Sequence, residues 1–171
     1  MSHIGGGWAH CVSRERARLP RPWLCDRASY LRNLGFAMNW LFKEEPTHYG
    51  FDDFVKDKKT VWSGVKNPLA QKHLRSVKKG DRIFYYHTGD EKAVVGTAKA
   101  LGDAYADPKD KSGKQSVVDI APVRKLQRPV TLAEIKGDAR FKDFPLVRVS
   151  RLSVMPVSDS EWERIERMAE R

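Results

Sequence analysis

Residues 82–100 constrain the fold more than any other stretch. Arg82-Ile83-Phe84-Tyr85-Tyr86-His87-Thr88 is dense in aromatic and β-branched residues, the types that suit a pleated, half-buried surface. Gly89-Asp90 supplies a turn. Ala93-Val94-Val95-Gly96-Thr97-Ala98-Lys99-Ala100 then returns as a second strand and antiparallel partner. Alternation puts Ile83, Tyr85 and His87 on one face and Phe84, Tyr86 and Thr88 on the other. Gly96, inside the returning strand, signals a bulge or a close approach by another group. A chain that carries this hairpin must build a sheet around it.

The remaining segments read as short elements. Met38-Asn39-Trp40-Leu41-Phe42-Lys43 is an apolar strand, broken by Glu44-Glu45-Pro46 because proline cannot join a ladder and restricts its predecessor. Phe51, Phe54 and Val55 share one side of a short helix, with Asp52-Asp53 first and Lys56 later, as its dipole prefers. Val61 ends a brief strand with its side chain inward, which leaves Trp62 at the strand exit. Pro68 opens a helix with Asn67 as its cap. Leu69, Ala70, His73, Leu74 and Val77 form the apolar side of that helix; Gln71, Lys72, Arg75 and Lys78 form the polar side. Tyr105-Ala106-Asp107-Pro108 is turn-prone. Residues 117–123 resume a strand in which Pro122 marks an edge or bulge. Thr131 and Glu134 have capping-box spacing, so a helix starts there. Residues 146–154 read as a strand with Arg148, Ser150 and Leu152 on one face, left by Met155-Pro156-Val157. Ser158 and Glu161 form a second capping box, opening a terminal helix with Trp162, Ile165 and Met168 or Ala169 inward. Five or six short strands with brief helices at the edges predict an α+β fold, a small, mostly antiparallel β-barrel with short peripheral helices. There is no βαβ alternation, no Gly-rich phosphate loop and no internal repeat.

Composition narrows the partners. The chain has 171 residues and a net charge of +10, enough length for one real core and a sign that favours a polyanion such as nucleic acid. No apolar stretch approaches the roughly 20 residues of a membrane span, so no membrane partner is expected. Residues 1–37 differ from the rest: their basic residues are all arginine (Arg14, Arg16, Arg18, Arg21, Arg27, Arg32), and Gly5-Gly6-Gly7, Pro20 and Pro22 interrupt any period. The expected organisation is a disordered or spurious N-terminal extension over 1–37, with Met38 as the favoured true start, followed by one domain over 38–171. Cys11 and Cys25 make neither a disulfide framework nor a zinc site, which points to a reducing compartment. His3, His10, His48, His73 and His87 are scattered, so neither a metal nor another cofactor is expected.

Two features bear on function. Trp62-Ser63-Gly64-Val65-Lys66-Asn67 combines a flat indole with an amide that both donates and accepts, which suits a site that stacks a ring and reads its edge. Two other readings stand beside it, Trp62 as a core residue and Asn67 as a helix cap. Trp40, Tyr86 and Tyr105 also fall at strand ends or turns, where pocket walls are built, and stacking is worth about 1–3 kcal/mol per base. Lys43-Glu44-Glu45 reads either as an acid/base group or as a solvated strand end.

The ordered blocks Asn39-Trp40-Leu41-Phe42-Lys43-Glu44-Glu45-Pro46, Trp62-Ser63-Gly64-Val65-Lys66-Asn67, Lys79-Gly80-Asp81 and Phe84-Tyr85-Tyr86-His87-Thr88 resemble the EVE domain family. Tyr105-Ala106-Asp107-Pro108, Pro129-Val130-Thr131-Leu132 and Ser150-Arg151-Leu152-Ser153-Val154 continue the resemblance, which runs from Met38 to about Met168. It implies a PUA-like fold, a small β-barrel related to the YTH readers of methylated adenine. It also implies a monomeric binding module that takes a modified nucleobase, cytosine or adenine in DNA or RNA, into an aromatic pocket. By that resemblance Trp62 is a pocket wall and Ser63 offers its backbone near the base edge. Val65, Asn67, Lys43, Tyr86 and His87 line or approach the cavity, with Trp40, Tyr105 and Arg151 beyond them. The family tends to carry Arg and Tyr where this chain has Lys66 and Pro68. Replacing Trp62 with alanine is expected to abolish discrimination and leave the fold intact. The alternatives are an ASCH-like hydrolase acting on modified nucleosides through Lys43 and Glu44, and a general RNA-binding module. The compartment is cytoplasmic in a bacterium or nuclear in a eukaryote.

Overall fold

The structure, a computed structural model, describes residues 37–171. The expectations for the N-terminal extension and its cysteines fall outside that range. The described elements are, in order, β1 (Asn39–Glu44), α1 (Phe51–Asp57), β2 (Thr60–Trp62), α2 (Pro68–Arg75), β3 (Arg82–His87), β4 (Ala93–Ala100), β5 (Tyr105–Ala106), β6 (Ser116–Thr131) and α3 (Leu132–Gly137). A 3₁₀ turn (Ala139–Phe141), α4 (Pro145–Arg148), β7 (Val154–Val157) and α5 (Asp159–Ala169) complete them. One mixed sheet runs β2-β6-β4-β3-β1-β7, with β5 on β6, and curls into a half-barrel decorated by the helices. The α+β, PUA-like expectation holds. β1 and β3 are parallel, and every other pairing is antiparallel.

The hairpin of β3 and β4 sits near the middle of that order, flanked by β1 and β6. Consequently Ile83 through His87 are all buried, instead of alternating in and out. One sheet face carries Phe42, Tyr85 and Trp62, with ring centroids 5.0 Å apart for Phe42–Trp62 and 5.6 Å for Trp62–Tyr85. Phe51 and Phe54 of α1 close over Tyr85 at 5.3 and 5.4 Å. The other face stacks Phe84 on Trp162 of α5 at 3.7 Å. Gly96 fulfils both readings of its glycine. The register shifts beside it, and an added Cβ would overlap the Phe51 ring, reaching Cε1 at 2.6 Å.

Polar groups fix the ends of the elements. The buried Asp81 carboxylate accepts from Met38 N, Lys78 N and Trp40 Nε1 at 2.8–3.0 Å, tying the start of β1 to the turn before β3. Asn67 Oδ1 accepts from Leu69 N and Ala70 N and so caps α2. Both capping boxes form, Thr131 with Glu134 at α3 and Ser158 with Glu161 at α5.

Several expectations need correction. Val61 faces outward, 50% exposed, and Trp62 is the buried one at 4%, because β2 is an edge strand whose inner face meets Phe42. Val55 and Leu69 are exposed. Gln71 is buried instead, its amide bonded to Val65 O and to both backbone groups of Ser116, so polarity alone misjudged the face of α2. Tyr105-Ala106 pairs with β6 rather than turning. β6 runs on past Pro122 to Thr131, longer than expected; Pro122 itself lies opposite Ala98 at a register shift, beyond Ile120 where pairing with β2 stops, so its edge-or-bulge reading holds. Residues 146–154 are not a strand. Pro145 presets the first turn of α4, and pairing with β1 begins only where Val154 meets Phe42.

Candidate functional site

Lys43, the penultimate residue of β1, lies opposite Tyr86 of β3, and in a parallel pair opposed residues share a face. Its ammonium lies 5.6 Å from the Tyr86 ring centroid and donates to Ser150 O at 3.0 Å. The backbone holds it there, since Lys43 N donates to Ser153 O at 2.9 Å. The strand ends on either side are locked together. Thr88 N donates to Glu44 O at 2.8 Å, and Thr88 Oγ1 donates to the Glu45 carboxylate at 2.5 Å.

Two cavities of about 200 Å³ each adjoin Lys43. The first has Tyr86, Leu132, Leu146 and Val147 as apolar lining and Lys43, Lys92 and Lys136 as amines around it. The second opens between Glu44, Glu45 and Thr88 on one side and residues 150–153 on the other, with Arg151 among its lining residues. Drug-sized ligands occupy roughly 300–1,000 Å³, so each hollow suits a single ring with its substituents. Burial pushes the Lys43 ammonium down to about 8 and the Tyr86 phenol up to about 12. The Tyr86 hydroxyl is therefore a neutral donor and acceptor near pH 7, while Lys43 remains mostly cationic yet poorly hydrated. Such a site can hold a flat ring against Tyr86 and attract a nearby anion.

The other residues singled out in the sequence fall elsewhere. Trp62, Trp40 and His87 belong to the opposite face of the β1–β3 pair. Trp62 is wedged between Phe42 and Tyr85, and Trp40 donates its indole N–H to Asp81 with its ring 6.2 Å from that of His73. His87 Nε2 accepts from Phe51 N at 3.0 Å, while Nδ1 pairs with Glu91. The ring thereby satisfies a donor at the start of α1, where Gly50 has no side chain to do so. Val65 is buried, Ser63 and Asn67 are exposed, and Asn67 is engaged as a cap. Tyr105 donates to Asp119 at 3.1 Å on the surface of β6. Of the ten named residues, Lys43, Tyr86 and Arg151 meet at the two hollows, and Trp62 lines neither. Glu44 accepts from Glu45 N at 3.0 Å and lines the second hollow together with Lys43. Among the described residues, no cluster of three or more His, Cys, Asp or Glu side chains could hold a metal ion.

Lys92, Lys136, Leu132, Leu146, Val147 and Ser150 were not singled out as site residues. Lys92 had no local signal, although its φ of 44° is one that non-glycine residues seldom adopt. Lys136 follows the capping box of α3 by two residues, so its helix was legible but not its position over the hollow.

The family model for the EVE domain matches residues 38–168. Human thymocyte nuclear protein 1 is 28% identical, the match covering 82% of this chain and 77% of that one. A solved Rhodopseudomonas palustris protein is 40% identical with a TM-score of 0.75, covering 78% of this chain and 94% of the other. The human THYN1 protein, solved in complex with 5-methylcytosine-containing DNA, is 28% identical with a TM-score of 0.70, covering 79% and 99%.

Proposed function

This chain belongs to the EVE domain family, and we propose that it is a binding module for a modified nucleobase within nucleic acid, with modified cytosine in DNA as the foremost ligand. The observation that carries the reading is the likeness, over 79% of this chain, to a human protein solved with 5-methylcytosine-containing DNA. The size and lining of the hollow beside Lys43 support a base site there. An unpaired or flipped base would enter against Tyr86 and the Leu132, Leu146 and Val147 surface, displacing the Lys43 ammonium from the ring. Lys43, Lys92, Lys136 and Arg151 would then face the flanking phosphates. Trp62, with Phe42 and Tyr85, supports the strands on which these residues stand. Ser63 and Asn67 belong to the same outer loop and are not needed for base contact in this reading. The module would act as a monomer, in the nucleus of a eukaryote or the cytoplasm of a bacterium.

The test is a panel of oligonucleotides carrying 5-methylcytosine, 5-hydroxymethylcytosine, N6-methyladenine or no modification, as DNA and as RNA, titrated at fixed salt. At least one modified strand should bind on the order of tenfold tighter than its plain counterpart, a difference of about 1.4 kcal/mol. Tyr86→Ala should erase that ratio and Trp62→Phe should keep it. The reverse pattern would move the base to the Trp62 side of the sheet. Trp62→Ala cannot decide the matter, since emptying a buried indole site costs about 3–5 kcal/mol and endangers the fold. Equal affinity for all strands with a steep salt slope would reduce the protein to a general nucleic-acid binder.

A further inference from the structure

A second basic region lies one helix away from the Lys43 hollow and has no part in the reading above. Two adjoining cavities of about 250 and 490 Å³ share Arg140 and Arg164. Arg167 lines the smaller one; Arg128 and Arg171 line the larger. The arginines come from three separate elements, so no single helix dipole explains them. On α5, Arg164 and Arg167 are three residues apart and share a stripe that Arg171 extends just past the helix end. Glu163 and Glu166 fall on a neighbouring stripe; Glu166 turns to Arg124 of β6 at 2.7 Å, and Glu163 reaches Arg167 only at 4.0 Å.

Asp138 organises the trough. Its carboxylate accepts from Arg164 at 2.6 Å and contacts Arg140 Nε at 3.3 Å, so one acid orients two guanidinium groups. Each guanidinium has five N–H donors and spends only some of them on Asp138. Around the two cavities the charged side chains are Arg128, Arg140, Arg164, Arg167 and Arg171 against Glu134, Asp138 and Glu161, an excess of cation. Planar forks with unused donors, held in place by a shared carboxylate, are suited to phosphate oxygens.

Continuity with the hollow sets what kind of phosphate. Lys136 lines the hollow, and Gly137, Asp138 and Arg140 line the trough, so α3 and the turn after it form the divide between them. Four residues at full extension span at most about 14 Å. At about 3.4 Å of rise per nucleotide along one strand, that reach corresponds to no more than roughly four nucleotides.

We propose that the trough formed by Arg140, Arg164 and Arg167 takes the sugar-phosphate backbone of the nucleic acid a few nucleotides away from the base held beside Lys43. The inference rests on the base-binding reading for its register, and on the trough alone for its ligand chemistry. It predicts a footprint longer than the base and its immediate phosphates.

The test uses the full chain with Arg140→Gln and Arg167→Gln combined. Both side chains are mostly exposed, and the Arg164–Asp138 pair stays intact. Affinity is measured for strands of about 12 nucleotides, modified and plain, and for a modified dinucleotide, across roughly 50–200 mM salt. The variant should lose about 1.4–1.8 from the slope of log affinity against log salt on both long strands, two phosphate contacts' worth. Its affinity for the dinucleotide and its melting temperature should not change. An unchanged slope on the long strands overturns the proposal. So does a melting-temperature rise of the parent protein with inorganic phosphate, absent in the variant and unaccompanied by a slope change, which would assign the trough to a free anion. Failure of the base-binding reading looks different: the parent protein would not distinguish modified from plain strands, yet the slope difference on the plain strand would persist.

Discussion

Replacing Lys43 with methionine should make the protein more stable and a poorer binder. Burial takes the Lys43 ammonium from its ordinary 10.5 down to about 8. At about 1.4 kcal/mol per tenfold, a drop of that size in a dry interior would mean on the order of 3 kcal/mol against folding the charged form. Lys43 is only partly buried and keeps some access to water, so we expect about a third of that, ~1 kcal/mol. Methionine fills the same space with an apolar, adaptable chain. The hydrogen bond it forfeits ends on Ser150 O, on an exposed residue where water can replace it. The pH dependence has a definite sign. Between about pH 8 and 10.5 the unfolded chain holds a proton that the folded chain has released, so the parent protein gains stability as pH rises through that window. The methionine variant has no such group. Its advantage should be ~1 kcal/mol at pH 7 and should vanish above pH 10.5. Urea unfolding of both proteins at pH 7, 9 and 11 reads this directly. Binding of a 5-methylcytosine strand at pH 7 should weaken about tenfold with loss of the cation. A stability difference that stays flat with pH, or a methionine variant less stable at pH 7, would refute the claim that the folded state desolvates this ammonium.

Two further substitutions test the frame around the site. Gly96→Ala should cost about 1–3 kcal/mol by driving a methyl into the Phe51 ring, and adding Phe51→Leu should recover part of it as measurable coupling in urea titrations. Asn67→Ala should cost about 1 kcal/mol through loss of the α2 cap, without changing the preference for a modified strand. A lost preference would return Asn67 to the ligand set.

What could be seen in the sequence was what short-range chemistry decides. The 82–100 hairpin, the two capping boxes and the Asn67-Pro68 start of α2 each depend on residues within a few positions of one another, and all appear as expected. The failures share a different cause. Residues 146–154 carry β-branched residues, yet Pro145 and the placement of the β1 edge decide their conformation. Val61 and Trp62 exchange roles because Phe42, distant in sequence, offers the indole its packing surface. At the site, Lys43 and Tyr86 could be named, from their places at strand ends and from the resemblance. Lys92, Lys136 and Val147 could not, because their convergence depends on the turn before β4 meeting α3 and α4 over the end of β1.

The position of β1 has a consequence for how the protein is made. It is the first described strand to be synthesised, and it lies between β3 and β7, the last strand of all. From residue 39 to residue 157, synthesis at about 5–20 residues per second takes roughly 6–24 seconds. Throughout that interval the edge of Trp40-Leu41-Phe42 that β7 will cover has no permanent partner. An open apolar strand edge is a template for pairing with another chain. Only when the four residues of β7 have been made is that edge covered, and truncations that stop short of Val154 should give aggregates rather than a smaller folded domain.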